Sequence, residues 1–313
     1  MRGPHICALV LLPLFLHPSH TRAQDAGFGI WPVRDNIFML VGGGGNTTVQ
    51  IGDDGILIVD TKLENVGEAL LGAVRELSDA PIRYIVNTHA HGDHIGGNTV
   101  LGPVGDTISG GNVVGAISDA GEGATIISHE NVMLAIATME EPPAFSGWPT
   151  STFHVRQKDL YFNGEPIEIL HQPSAHTNGD SMVFFRRSDV VSAGDVYNTT
   201  SYPVIREGDG GSINGVLDAL NEIIRITVPR DKQEGGTMVI PGHGRLADEA
   251  DVVEYRDMVT IIRDRVQAMI DEGMNLDQVL AARPTRDYDA RYGTDARWTP
   301  EQFVASVYRT LTD

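Results

Sequence analysis

Cysteine is almost absent: Cys7 is the single one among 313 residues. One thiol excludes a disulfide framework and any site built on paired thiolates. Basic residues are scarce too. Lys and Arg total 23 against 42 Asp and Glu, a formal charge of −19. Nucleic-acid affinity rests on Lys and Arg neutralising phosphates, so no nucleic-acid partner is expected. Long apolar runs are also missing. The stretch ICALVLLPLFL, Ile6 to Leu16, has eleven residues, too few to span a bilayer, and no stable membrane anchor is expected.

That short run has the form of a signal-peptide core. Arg2 precedes it, and the small-residue site Thr21-Arg22-Ala23 follows. Pro13 and Pro18 weigh against a buried N-terminal helix instead. The expectation is a signal peptide over residues 1–23, cleavage near Ala23, and a secreted or periplasmic protein. Cleavage removes Cys7, Arg2 and Arg22, which moves the formal charge from −19 to −21. Residues 24–313 keep an ordinary globular composition, 41% hydrophobic and 21% charged over the full chain, and fit one domain.

Periodicity gives a mixed α/β chain. Ile37–Val41, Thr47–Ile51 and Ile56–Asp60 read as strands, with Gly42–Gly45 and Asp53–Gly55 as turns. The GGGG run lacks a following helix and Lys, so it reads as a hairpin turn and not a phosphate loop. Val66–Leu77 carries apolar residues at helical spacing. Ile82–Asn87 reads as a buried strand, Gly102–Gly123 as a surface loop, Ala124–Ser128 as a strand and Asn131–Thr138 as a helix. Further strands are expected at Leu160–Phe162, Ile167–His171, Met182–Arg186, Val190–Ala193 and Met238–Ile240. Helices are expected at Ser212–Thr227, Asp248–Glu272, Leu276–Ala281 and Pro300–Leu311, the last three forming a C-terminal helical part from about 248 to 313. The order suggests two similar α/β halves in one domain.

What the chain does have is a histidine cluster. From Asn87 to Asn98 it reads NTHAHGDHIGGN, with His89, His91, Asp93 and His94 within six residues. The segment follows a predicted strand, and α/β sheets place ligands at the C-terminal ends of their strands. Imidazole and carboxylate together suit zinc, and iron or manganese less selectively. Four donors from one loop cannot complete two sites. The other candidates also follow apolar strands: His176 in PSAHTNGD, Asp195 in VVSAGDVYN and His243 in MVIPGHG. His171 and His154 lack that setting and read as structural or surface residues, and His129 as a helix cap or surface residue.

The ordered set HAHGDH (89–94), His176, Asp195 and His243, with DGILIVDT around Asp60, resembles the metallo-β-lactamase superfamily from about Asn36 to Gly244. The resemblance implies a four-layer αββα sandwich with a metal site on one edge. It implies two zinc ions per chain: His89, His91 and His176 on the first, Asp93, His94 and His243 on the second. Asp195 would bridge them together with a water or hydroxide. Asp60 would orient the histidine loop through hydrogen bonds, since such partners fix ligand geometry and basicity. Asp93 would orient the attacking water, and the reaction class is metal-assisted hydrolysis.

Which bond is cut is less directly written. Nuclease branches carry an inserted domain or a basic surface, and neither is present. Flavodiiron proteins have a glutamate where His91 stands, plus a flavin domain. The wording THAHGDHIGGN resembles glyoxalase II-like thioesterases, without their basic C-terminal region. One group of zinc β-lactamases requires a cysteine where Asp195 stands, and the subclass matching Asp93, His94 and His243 does not use a bridging aspartate. The expectation is therefore an exported hydrolase of a small-molecule ester, thioester or lactone. The alternatives are a zinc β-lactamase, a mononuclear iron persulfide dioxygenase, which needs no complete second site, and a non-catalytic metal-binding protein. Substrate-selecting segments are expected at Gly42–Asn46, Gly102–Gly123, Glu140–Trp148 and Tyr197–Tyr202, with Phe145, Trp148 and Tyr197 walling an apolar pocket.

Overall fold

The structure is a computed structural model that describes residues 27–107 and 123–312. The expected signal peptide and residues 108–122 of the predicted surface loop lie outside the described residues.

Two sheets form in sequence order. β1 (Gly29–Arg34), β2 (Ile37–Val41), β3 (Thr47–Gly52) and β4 (Gly55–Val59) make an antiparallel meander. β5 (Ile82–Val86), β6 (Thr125–His129) and β7 (Ser151–Phe153) then add in parallel, giving seven strands in chain order. Parallel neighbours need crossovers. These carry α1 (Gly67–Leu77), then α2 (Gly92–Ile95) and α3 (Asn98–Leu101), then α4 (Glu130–Ala137).

The second sheet contains β8 (Gln157–Phe162), β9 (Glu165–His171), β10 (Ser181–Phe185), β11 (Val190–Ser192), β12 (Met238–Ile240) and β13 (Ala247–Asp248). Its order is β13-β12-β11-β10-β9-β8, and β11–β12 is its parallel pair, crossed over by α5 (Ile213–Ile226). Ser212 caps α5 by accepting from Gly215 N at 3.0 Å. The chain ends with α6 (Glu249–Asp271), α7 (Leu276–Ala282), α8 (Asp289–Tyr292) and α9 (Pro300–Thr312). Asp248 and Asp251 form a capping box at the start of α6.

Strand alternation explains the layering. Leu57 and Val59 of β4 point between the sheets, where they meet Ile169 of β9, Val183 and Phe185 of β10, and Ile240 of β12. Ile56 and Ile58 point the other way, into a core shared with Leu70 and Val74 of α1. On the outer face of the second sheet, Met182, Phe184, Val191 and Val239 pack under α5, α6 and α9. Each fully buried aliphatic side chain stabilises the fold by about 1.5–3 kcal/mol. The result is the expected αββα sandwich.

Three strands have no sequence counterpart in the reading above. β1 is largely exposed and interrupted by Pro32, as suits a sheet edge, and β7 and β13 are too short to show a period. β4 also stops one residue early. Asp60 and Lys62 adopt φ of 62° and 63°, a turn that leaves the sheet and sets Asp60 against His94 and Lys62 against the carbonyls of Leu40 and Gly45.

Candidate metal centre

The donors converge because four strands end at one edge. His89 and His91 follow β5, and Asp93 and His94 sit on α2. His176 lies between β9 and β10, Asp195 in the turn Gly194–Val196 after β11, and His243 after β12. Two groups result. One donor atom each from His89, His91, His176 and Asp195 lie within 4.8 Å of one another, and the same holds for Asp93, His94 and His243.

Asp195 stands between the groups. Its Oδ2 is 3.9 Å from His89 Nε2 and 3.7 Å from His176 Nε2. Its Oδ1 is 3.2 Å from His94 Nε2 and 3.4 Å from His243 Nε2. One oxygen faces each group. Asp93 Oδ2 closes the second group at 3.3 Å from His243 Nε2. His176 Nε2 and His91 Nδ1 approach to 2.9 Å in the first.

Buried polar atoms normally have partners, and an exception calls for an explanation such as an ion or a water. Here His89 Nε2, His94 Nε2 and Asp195 Oδ1 are buried and make no aligned hydrogen bond. All three face the space between the donors. The ring atoms on the far side are held. His176 Nδ1 lies 2.6 Å from the carbonyl of Val204, and His94 Nδ1 lies 2.7 Å from Asp60 Oδ2. Asp60 also accepts from Thr88 N at 2.8 Å and Thr88 Oγ1 at 2.7 Å, and Thr88 Oγ1 is 3.0 Å from His89 Nδ1. These contacts leave each Nε2 lone pair directed inward. Orphaned inward donors of this chemistry fit divalent ions.

Electrostatics divide the groups in the same way. Burial holds His89 well below the ordinary imidazole range and His176 down at about 4, so both stay neutral. Burial opposes charge on His94 as well, but Asp195 and Asp60 outweigh it and raise its pKa well above the usual value. His243 is raised to about 9 by Asp195 and Asp93 against its burial. Burial would raise Asp93, yet the neighbouring His243 and His94 bring it down to about 2. Burial would raise Asp195 as well, but His94 and His243 hold it well below the usual carboxylate range, so both acids are anionic at neutral pH. In the bare chain, protons on His94 and His243 balance charge that ions would balance otherwise.

Two glycines allow this density. A Cβ on Gly242 would lie 2.0 Å from Asp195 Oδ1, and one on Gly45 would lie 2.5 Å from His94 Cε1. Gly45 belongs to the GGGG turn, which does join two antiparallel strands, β2 and β3. The turn also roofs α2, a role its hairpin reading did not include.

The donors open into a cleft of about 750 Å³. Gly44, Asn198, Thr200 and Ser201 line it, from two of the predicted substrate segments. The aromatic expectation fails. Tyr197 is buried against Tyr255 with ring centroids 5.3 Å apart, because its side chain turns into the helical layer. Phe145 is 84% exposed, and Trp148 packs on the cluster of Ala90, Ile95, Val132 and Ile136. Neither lines the metal cleft; Leu63 and Trp298 do.

The remaining histidines have other places. His129 and His171 are buried and stacked face to face, centroids 3.5 Å apart and 5° from parallel. His129 caps α4 through Asn131 N, and His154 is exposed. Sequence reasoning missed Lys62, Thr88 and Arg206. Lys62 is fully buried two residues after Asp60, and no spacing rule marks a single lysine as internal.

A family model described as the metallo-beta-lactamase superfamily matches residues 40–243. The chain belongs to the metallo-β-lactamase superfamily. Solved structures share this superfamily member's fold at low identity. A metallo-beta-lactamase from Pontibacter korlensis is 13% identical, over 74% of this chain and 99% of its own, with TM-score 0.57. DIM-1 metallo-beta-lactamase is 20% identical, over 74% of this chain and 97% of its own, with TM-score 0.55. The stereoselective inverting sec-alkylsulfatase Pisa1 from Pseudomonas sp. is 14% identical, with TM-score 0.65, over 90% of this chain but 50% of its own. No curated protein sequence matches.

Proposed function

We propose that this chain is an exported dinuclear zinc hydrolase that cleaves an ester, thioester or lactone bond. The supporting observation is the placement of Asp195, one carboxylate oxygen toward each of two donor groups. His89, His91 and His176 would hold one ion, Asp93, His94 and His243 the other, and Asp195 both. Bound divalent ions lower the pKa of water toward ~7 and polarise a carbonyl oxygen.

The protein's own part is positional. Asp93 lies on the cleft wall and is anionic at neutral pH, so it can orient an attacking water and accept its proton. Asp60 and Val204 hold the His94 and His176 rings, which keeps the inward nitrogens fixed through a turnover. Both full donor groups favour a hydrolase over a mononuclear oxygenase. Asp195, where a thiolate would serve one kind of zinc β-lactamase, favours other substrates over β-lactams.

A second reading, sulfate-ester hydrolysis, draws on the reach of the sec-alkylsulfatase likeness over 90% of this chain. The test is a panel of esters, thioesters, lactones, a β-lactam and a sec-alkyl sulfate on zinc-loaded protein with chelator controls, alongside metal analysis. Two zinc ions per chain with ester-class activity support the proposal. One iron ion, or turnover of the β-lactam alone, overturns it. Export is tested by N-terminal sequencing of secreted protein, expected to begin near residue 24.

A further inference from the structure

An indole sits on a cleft made largely of polar groups. Among the described residues that line it, Trp298 is the one Phe, Tyr or Trp. Its only polar side-chain atom is engaged, since Nε1 donates to the carbonyl of Pro203 at 3.0 Å. The ring therefore offers the cleft carbon alone. Trp298 is half-buried and packs on the helical core, yet it borders two open cavities. The second, of about 660 Å³, is bounded by Ile205 and by Gln302 and Ala305 of α9.

The indole is fixed relative to the donors. Pro203 and Val204 are adjacent: the Pro203 carbonyl holds the indole, and the Val204 carbonyl lies 2.6 Å from His176 Nδ1. Tyr202, just before them, stacks on Phe303 of α9, with centroids 4.8 Å apart and 5° from parallel. Its hydroxyl donates to Asp289 Oδ1 at 2.9 Å.

The backbone of Trp298 is pinned as well. Its N–H donates to the carbonyl of Asp295 at 3.1 Å. The next residue, Thr299, exchanges hydrogen bonds with Gln302 at 2.8 and 3.3 Å, a reciprocal pair that fixes the start of α9. A side chain held in this way loses little freedom when a ligand lies against it.

We infer that Trp298 is the platform of a subsite for an aromatic group of the substrate, beside the first donor group. The inference rests on the hydrolase reading and narrows it to esters that carry a ring. Aromatic rings pair by offset stacking or edge contact, which an aliphatic group of equal size does not reproduce. An indole also attracts cations, but Arg297, its neighbour in the chain and on the same cleft, disfavours a cationic occupant.

The test compares methyl phenylacetate, methyl cyclohexylacetate and methyl acetate on zinc-loaded wild type, Trp298→Phe and Trp298→Leu. Metal per chain and circular dichroism serve as controls. Calorimetry with phenylacetamide, cyclohexylacetamide and tetramethylammonium chloride reads binding separately from turnover. Trp298→Phe keeps a ring and loses the bond to Pro203, whereas Trp298→Leu loses both. Expected is a wild-type preference for methyl phenylacetate over methyl acetate that falls about tenfold in Trp298→Leu, through KM with kcat little changed, and largely survives in Trp298→Phe. Phenylacetamide binding should weaken in parallel, and should exceed that of cyclohexylacetamide in wild type. Equal loss on all esters, unchanged phenylacetamide binding in Trp298→Leu, or Trp298→Phe as impaired as Trp298→Leu overturns the subsite. Equal binding of the two amides, or tighter binding of tetramethylammonium, overturns its assignment to an aromatic group. If no ester is cleaved while phenylacetamide binds wild type and not Trp298→Leu, the hydrolase reading fails and the subsite stands.

Discussion

Lys62 Nζ lies 2.7 Å from the carbonyl oxygen of Gly45 and 2.9 Å from that of Leu40, in a site with no solvent exposure. The lysine thereby ties down the glycine turn whose Gly45 N donates to the Asp93 carbonyl at 3.2 Å. Lys62→Met would remove the ammonium donor from two buried carbonyls, costing on the order of 2–4 kcal/mol in denaturant unfolding. Zinc calorimetry should show the second ion weakened more than the first. Equal weakening of both would mean that the turn does not act on Asp93 and His94.

Burial also lowers the Lys62 pKa to about 7, against the attraction of Asp60 and Asp93. An unfolded lysine titrates near ~10.4. Between these values the unfolded chain binds more protons, so stability rises with pH, by at most ~1.4 kcal/mol per unit. Wild type should therefore gain stability relative to Lys62→Met from pH 7 toward pH 10. A flat difference across that window would contradict a depressed lysine.

Gly45→Ala tests the roof from the other side. The added methyl would meet the His94 ring at 2.5 Å, so the imidazole must move. We expect the second zinc to be lost while circular dichroism and the first zinc are retained.

Asp60→Asn keeps an acceptor but removes the charge that His94 Nδ1 and Thr88 meet. Replacing such an outer partner typically costs 10–100-fold in metal affinity or activity. His91→Ala and Asp195→Ala should go further, with His91→Ala losing one zinc and Asp195→Ala weakening both, read as metal per chain after dialysis. Full hydrolysis by metal-free protein would refute the whole scheme.

The stacked pair His129 and His171 predicts acid sensitivity away from the metals. Burial, with His171 and His154 nearby, lowers His129 to about 4, and burial likewise lowers His171. Both folded values lie below the unfolded value near ~6.5. The unfolded chain then binds more protons as pH falls, so stability present above pH 6.5 is lost toward pH 4. His129→Phe should flatten that slope in melts recorded across the window.

By itself, the sequence marked out the layers and the residues that meet at one sheet edge. Strands such as Gly55–Val59 and Ser181–Phe185, buried along their whole length, announce themselves by nearly continuous apolar runs, and the donor segments follow strands rich in apolar residues. Legibility failed where tertiary contact, not local pattern, fixes a residue's role. Tyr197 and Trp148 look like cleft aromatics but are claimed by neighbouring layers, and Trp298 reaches the cleft only because the C-terminal helices fold back over it. Only the assembled fold buries Lys62 under a glycine turn, gives Asp195 one oxygen for each donor group, and ties Glu207 to Arg309 of α9. Those outcomes depend on groups up to about a hundred residues apart in sequence, and periodicity carries no information at that range.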